Sequence, residues 1–390
     1  MKICATVAEY NPFHNGHLKH IEYIKNTLKA EKLIVIMSGN FTQRGESAIL
    51  DKYTRARHAI LAGADLVIEL PTVFATANAE TFATGAINIL NSLNVVDGIC
   101  FGVESGKKED YFSLAKCMLD ESKEFKRVLR EKLEKGISLG KAKFETVKEL
   151  YNLEFDSSLI NSPNNILGLE YTKAILKNKS TMEIFPMLRE GDHNDLTLKK
   201  GITSATSIRQ CLKEGKKKKT KKSLPKFTYK DLAEFPFAFD KMILTSVLTT
   251  PTEKLAKIAD CTEGLENRIK ALSKDSHTID ALVEKVTTKR YPATRVRRIL
   301  TACFLDIDKN FVDECLDSKL YAKVLAVNED SKDLISLLSK TSKIPILTRK
   351  SDVDKLKKTA EKCFEKDVLA SDLYALATNK RLNENNMLII

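Results

Sequence analysis

The sequence predicts an α/β protein: a doubly wound parallel sheet over residues 1–215, a lysine-rich linker over 216–226, and a mainly helical, basic domain over 227–390. Three observations predict it. Short β-branched runs alternate with amphipathic stretches through the first half, the pattern of βα units around a parallel sheet. Fourteen of the fifteen glycines lie at or before Gly215 and only Gly264 follows, so the two halves differ in local chemistry. Between them stands KKKKTKK, Lys216 to Lys222, whose six lysines cannot enter a core and read as a solvated linker.

The strand-like runs are KICATVAEY (2–10), KLIVIMSG (32–39), DLVIELP (65–71), GICFGVE (98–104) and TMEIFPML (181–188). Each is close to continuously apolar, as strands buried on both faces must be. Helical spacing fills the gaps, in HLKHIEYIKNTLKAE, in DKYTRARHAILAGA with Asp51 as cap and Gly63 as stop, and in AETFATGAINILNSLN. After residue 227 the pattern is helical to about Asp317. Two short strand-like pieces, 321–327 and 344–348, and a long helical stretch then complete the chain. In a doubly wound sheet, ligands bind in loops at the carboxyl ends of strands, so functional residues are expected there.

Composition narrows the classes. No apolar run approaches the roughly 20 residues that span a bilayer, and the amino terminus turns polar too early for a signal peptide. A cytoplasmic protein is expected, with nothing that calls for a membrane or an obligate protein partner. Eight scattered cysteines include no C-x-x-C pair and read as reduced core residues. The net charge of +12 is concentrated: the lysine run and KRYPATRVRR (289–298) hold most of the excess, which favours a polyanionic partner.

EYNPFHNGHLKH, Glu9 to His20, carries three of the six histidines directly after the first strand. A helix beginning there offers free backbone N–H groups and the positive end of its dipole to an anion. His14 and His17, three residues apart, fall on one side of the helix start, and Gly16 leaves room for close approach. Two imidazole donors aimed at phosphate oxygens fit nucleotidyl transfer, with ATP as the ligand. Alone, an H-x-G-H also fits a capped surface helix. Metal binding is disfavoured, because no nearby carboxylate or cysteine cluster completes a shell. His20 stays open between support of the site and an ordinary surface histidine.

A second signal lies in TSATSIR, Thr203 to Arg209, after the last strand of the first half. Ser204 and Ser207 sit at a helix start with Arg209 one turn on, a set suited to the β- and γ-phosphates and departing pyrophosphate. The bland alternative is a capped helix with a solvated arginine.

Together the two segments resemble the nucleotidylyltransferase superfamily related to class I aminoacyl-tRNA synthetases, with its Rossmann-like H-x-G-H domain. Within it, VAEYNPFHNGHLKH, MSGNFTQRGE, DKYTRARHAILAGADLVIELP, CFGVES, SPNNILGLEY, SATSIR, EGLENRI and TKRYPATRVRRIL, in this order, look like the tRNA(Met) cytidine acetate ligase family. The resemblance runs from residue 1 to about 305. It implies that acetate and ATP, with Mg2+ carried on the phosphates, form acetyl-adenylate and pyrophosphate. The acetyl group then passes to N4 of the wobble cytidine of elongator tRNA(Met).

Carried over by position, the ATP site would comprise Val7, Ala8, Glu9, Tyr10, Asn11, Pro12, Phe13, His14, Asn15, Gly16, His17, Leu18, Lys19 and His20, then Gly102, Asn164 and Arg189. Asn165 stands beside Asn164 as the alternative, and Glu190 follows Arg189. The loop GNFTQRGE faces the expected cleft, and Arg44 with Lys52 and Arg55 could balance the charge of ATP and acetate.

In KRYPATRVRR the helix is expected after Pro292, with Arg295 and Arg298 on one face and Tyr291 free to stack on a base. Lys289, Arg290, Arg295 and Arg298 are the expected tRNA contacts, and the lysine run a weaker phosphate clamp. Two other readings compete: adenylyl transfer to a phosphorylated small molecule, and an RNA-binding protein without catalysis. The long basic half argues against the first, and intact His14, His17 and Arg209 against the second.

Overall fold

A computed structural model describes residues 1–390 except 121, 138, 152–155, 190–203, 233–238, 381, 383 and 385–386, and without the side chains of 139 and 140. Glu190 and Thr203 therefore lie outside the described residues. All five strand-like runs of the first half are strands: β1 (Ile3–Ala8), β2 (Lys32–Ser38), β3 (Leu66–Leu70), β4 (Gly98–Val103) and β5 (Glu183–Leu188). They run parallel in the order β5-β4-β1-β2-β3.

Alternate residues of β2 explain the double winding. Leu33, Val35 and Met37 pack with Ile21, Ile24, Ala56 and Ala59, whereas Ile34 and Ile36 pack with Phe82, Ala86 and Leu90. The helices Asn15–Glu22 and Lys52–Leu61 therefore cover one face and Ala79–Leu93 the other. The chain changes face between β1 and β4, and that crevice is the topological switch point.

The tail does more than append a small piece. β6 (Ala322–Val327) pairs antiparallel with β3, and on its other edge β7 (Ile346–Leu347) and the two-residue β8 (Leu388–Ile389) pair with its beginning and its end. The sheet is thus eight-stranded and mixed, with the antiparallel β3–β6 pairing joining two parallel groups of strands. A buried charge cluster fastens this addition: Lys52 reaches Glu69 at 2.8 Å and Glu384 at 2.9 Å, and Lys323 bonds to both acids.

Between the two halves the lysine run is structured, unlike the solvated linker expected. Lys217–Ser223 winds into a 3-10 helix with Thr220 and Ser223 buried. Leu224 then packs with Ile208, Leu212 and Leu232. The sequence reading weighed only the lysines; the interspersed threonine, serine and leucine supply the buried side.

The helical part docks on the loop that follows β2. Gly45 has φ +70°, and a Cβ there would stand 2.4 Å from the Arg297 carbonyl carbon. Thr301 donates to the Gly45 carbonyl at 2.9 Å. Glycine is needed at this contact both for its backbone conformation and for its lack of a side chain. No helix among the described residues is long and apolar enough to cross a membrane.

Candidate active site

β1 ends at Ala8 and the chain turns through residues 9–14 into the helix Asn15–Glu22, capped by His14. The cap is reciprocal. Gly16 N–H donates to His14 Nδ1 at 3.0 Å, and His14 N–H donates to His17 Nδ1 at 3.2 Å. The two rings stack with centroids 3.7 Å apart. An Nδ1 that accepts a hydrogen bond carries no proton, so each neutral ring holds its proton on Nε2. Burial, and then the charges of His14, Arg189 and His20, hold the His17 pKa well below its usual value. The neutral donor form of His17 is therefore the one present at pH 7.

The inner residues of the segment build the loop. Tyr10 and Phe13 are buried and pack on His17 edge-on and tilted. The Asn11 side chain accepts from Ile49 N–H at 2.9 Å, and its carbonyl accepts from Arg209 at 2.9 Å. Pro12 follows a cis peptide. Glu9 accepts from Gln43 N–H at 2.8 Å. Val7 and Ala8 close β1 half-buried, Leu18 is half-buried, and Lys19 is exposed on the helix. His20 Nε2 lies 3.2 Å from Cys100 Sγ, and burial, with the Arg189 charge second, lowers its pKa to about 4. That contact makes it a packed supporting residue and not a surface histidine.

Across the switch point stand the ends of β4 and β5. Arg189 N–H bonds to the Val103 carbonyl, and a Cβ on Gly102 would lie 3.1 Å from Arg189 Cγ. Gly102 therefore lets the Arg189 side chain lie flat over β4, close enough to His17 and His20 to lower both their pKa values. The two asparagines separate cleanly. Asn165 is fully buried and its amide is committed, accepting from Glu104 N–H and donating to Ser105 Oγ and the Ser158 carbonyl. Asn164 is half-buried, and its amide donates to the Glu104 carboxylate. Glu104, which also accepts from Ser162 at 2.6 Å, was overlooked in the sequence although it lies inside CFGVES.

On the other side, Ser204 caps the helix Ala205–Lys213. Its hydroxyl accepts from Ser207 N–H at 3.1 Å and lies 2.8 Å from the buried Ser207 hydroxyl. Arg209 and Arg44 both reach Thr206 Oγ1, and Arg209 lies 3.6 Å from Glu46. The β1 loop, the β2 loop and this helix start thus meet around one cleft. Lys52 and Arg55, expected to balance ligand charge, do not. Lys52 is spent on Glu69 and Glu384, and Arg55 is buried, donating to the carbonyls of Glu9, Ser38, Leu50 and Gly39. Arg55 is the scaffold that fixes the ends of β1 and β2.

The expected RNA contacts are unevenly placed. Arg295 donates to the Asp260 carbonyl at 2.8 Å and Thr262 Oγ1 at 2.9 Å, and lies over the Tyr291 ring. Arg298 lies 3.7 Å from the Asp260 carboxylate, and Arg290 pairs with Glu263. Lys289 and Arg290 are exposed, whereas Arg295 and Arg298 are half-buried. Among the described residues no group of three or more His, Cys, Asp or Glu could hold a metal ion.

A switch-point cleft flanked by an H-x-G-H helix start and a SATSIR helix start defines a nucleotidyl transferase of the HIGH type. The HIGH Nucleotidyl Transferase family model matches residues 1–387. A tRNA(Met) cytidine acetate ligase of Thermoanaerobacter sp. (strain X514) is 39% identical over 387 residues, covering 97% of this chain and 96% of the relative. Another, of Clostridium botulinum (strain Okra / Type B1), is 39% identical over 402 residues, covering 99% and 97%. The chain belongs to the tRNA(Met) cytidine acetate ligase family. The likeness includes the tail, in which the sequence alone showed no motif. Thermotoga maritima TmcAL in its apo form superposes with a TM-score of 0.94 at 29% identity over all of both chains, and its complex with alpha-thio ATP with 0.92.

Proposed function

We propose that the protein joins acetate to ATP at the His14–His17 loop and passes the acetyl group to N4 of the wobble cytidine of elongator tRNA(Met), in the cytoplasm. The observation that carries this reading is the reciprocal cap, which turns both Nδ1 atoms inward as acceptors and leaves Nε2 as the donor atom of each ring at a helix start. An acetate oxygen attacks the α-phosphorus, the bond to the bridging oxygen breaks, and pyrophosphate leaves. Negative charge grows on the α-phosphate oxygens in that step, and fixed donors stabilise it without prior reorganisation. Arg189 adds a positive charge on the β4 side.

In this reading Arg209 and the Ser204 helix start take the β- and γ-phosphates, with Ser207 supporting the cap. Asn164, half-buried with its amide donating to Glu104, is the asparagine with hydrogen-bonding capacity left for the nucleotide. Mg2+ would neutralise phosphate charge and would be held chiefly by the phosphates themselves. In the second step the cytidine amine attacks the acetyl carbonyl and AMP leaves. Of the four basic residues expected to contact RNA, Lys289 and Arg290 are exposed to meet phosphate, Arg290 by exchanging its pairing with Glu263, while Arg295 and Arg298 shape the surface behind them.

The names of the relatives and the alpha-thio ATP complex of the Thermotoga protein support this reading. The test is label exchange between pyrophosphate and ATP with and without acetate, followed by transfer of labelled acetate to tRNA(Met). Acetate-dependent exchange and labelled cytidine are expected. Exchange driven by another acid, or adenylyl transfer to a phosphorylated small molecule, would overturn it.

A further inference from the structure

We propose that the lysine strap, residues 216–226, is the surface on which the tRNA backbone rests while its base is in the cleft; this deepens the function proposed above and rests on it. The strap is tied to the catalytic loop. The side-chain amide of Asn15, the residue between His14 and Gly16, donates to the Lys222 carbonyl at 3.0 Å. Four residues past the 3-10 helix, Phe227 packs on Phe13 and His58 with ring centroids 5.9 and 5.3 Å away. Buried Thr220, Ser223 and Leu224 hold its inner side. Its register against the adenylate site is therefore fixed.

The outer side is cationic and unbalanced. Lys218, Lys219, Lys221 and Lys222 are exposed, and none forms an ion pair among the described residues. The acid nearest in sequence, Glu214, is taken by Lys216 at 2.6 Å. The arginines of the helix Ala293–Phe304 are the opposite case: Arg297 pairs with Asp280 and Arg298 with Asp260, so much of their charge is cancelled internally. A row of unpaired ammonium groups beside a site that must receive one nucleotide fits a flexible phosphate backbone. Lysines are point charges without geometric demand, so the strap would hold RNA without reading its sequence. Anionic vesicles or acidic proteins share only the charge and have no reason to be registered on the catalytic loop.

The experiment compares the parent chain with a Lys218→Gln, Lys219→Gln, Lys221→Gln triple variant; Lys222 is kept because its carbonyl holds Asn15. Binding of a tRNA(Met) transcript is measured from low to high salt, beside acetate-dependent exchange and binding to phosphatidylserine vesicles. The variant is expected to lose about tenfold or more in tRNA affinity at low salt, and its log–log salt slope to fall by about 2. A parallel fall in exchange would mean that the strap acts on ATP, and overturns the proposal. So does parental tRNA affinity and slope in the variant, or a loss confined to vesicles. A parent without acetate-dependent exchange refutes the proposed function; the tRNA titration then still decides the surface by itself.

Discussion

Glu46 stands 3.6 Å from Arg209 and 3.8 Å from Arg297, so one carboxylate joins the helix Ala205–Lys213 to the helical part. If the triphosphate binds at Arg209 as proposed, a fixed negative charge there opposes the ligand, while its hold on Arg297 helps seat the loop 39–50. Glu46→Gln is expected to lower the KM for ATP severalfold in the exchange reaction and to slow acetyl transfer to tRNA. Both pairs are partly exposed, so stability should change by less than about 1 kcal/mol. Unchanged KM and unchanged transfer would show that the three charges act independently.

His14 caps a helix, and the proposed reaction gives it a second duty that one pair of variants separates. His14→Ala removes a helix cap, at about 1 kcal/mol of stability, and a donor to the transition state, at about 10²- to 10³-fold in kcat. His14→Asn keeps a good cap and lacks the Nε2 donor. Thermal melts should therefore recover in the asparagine variant while exchange does not. Recovery of both would reduce His14 to a cap.

Much of this site was legible in the sequence, and the illegible part has a common cause. Periodicity located all five strands of the first half, and HNGH opens a capped helix after β1 as its position in the sequence indicates. The pairing of β6 with β3 was not legible, because a short apolar run does not say which sheet edge it will join some 250 residues away. Nor were the partners of charged side chains. The spacing of the sequence offers Arg55, Lys52, Arg295 and Arg298 as ligand contacts, yet Asp260, Glu69, Glu384 and strand-end carbonyls, brought to them by the fold, engage them. Asn165 was separable from Asn164 only once its amide could be followed to Ser105 and Ser158.

His17 and His20 make a pH prediction with a definite sign. Burial depresses both, and His20 falls from 6.5 to about 4. Between those values the unfolded chain binds more protons than the folded one, so this stability is complete above pH 6.5 and is lost as pH falls toward 4. For His20 the loss is at most about 3 kcal/mol. His20→Gln should narrow the drop in melting temperature between pH 7 and pH 5. Exchange activity should stay level from pH 6 to 8, since His17 is neutral throughout; a half-maximal point near 6.5 would contradict that.

Arg295 and Arg298 are expected to behave as structural residues. Arg295→Ala with Arg298→Ala removes two charge-assisted bonds to the Asp260 carbonyl and Thr262 together with the Asp260 ion pair. A loss of roughly 2–4 kcal/mol in urea unfolding is expected. The salt slope of tRNA binding should change less than in the lysine triple variant. A large fall in slope at parental stability would assign these arginines to RNA phosphates instead.

Lys52 offers the sharpest separation of scaffold from site, since it lies in the loop-and-helix segment that flanks the cleft yet is wholly buried against Glu69 and Glu384. Lys52→Met leaves two buried carboxylates sharing Lys323 alone, and removing one partner from such a cluster costs about 3–5 kcal/mol. Adding Glu384→Gln removes one of the surplus negative charges, so the double variant should regain part of that loss. Denaturant unfolding of the single and double variants measures the coupling directly. If Lys52→Met kept its stability but lost ATP affinity, the lysine would belong to the ligand and the buried cluster would not be what holds the tail to the sheet.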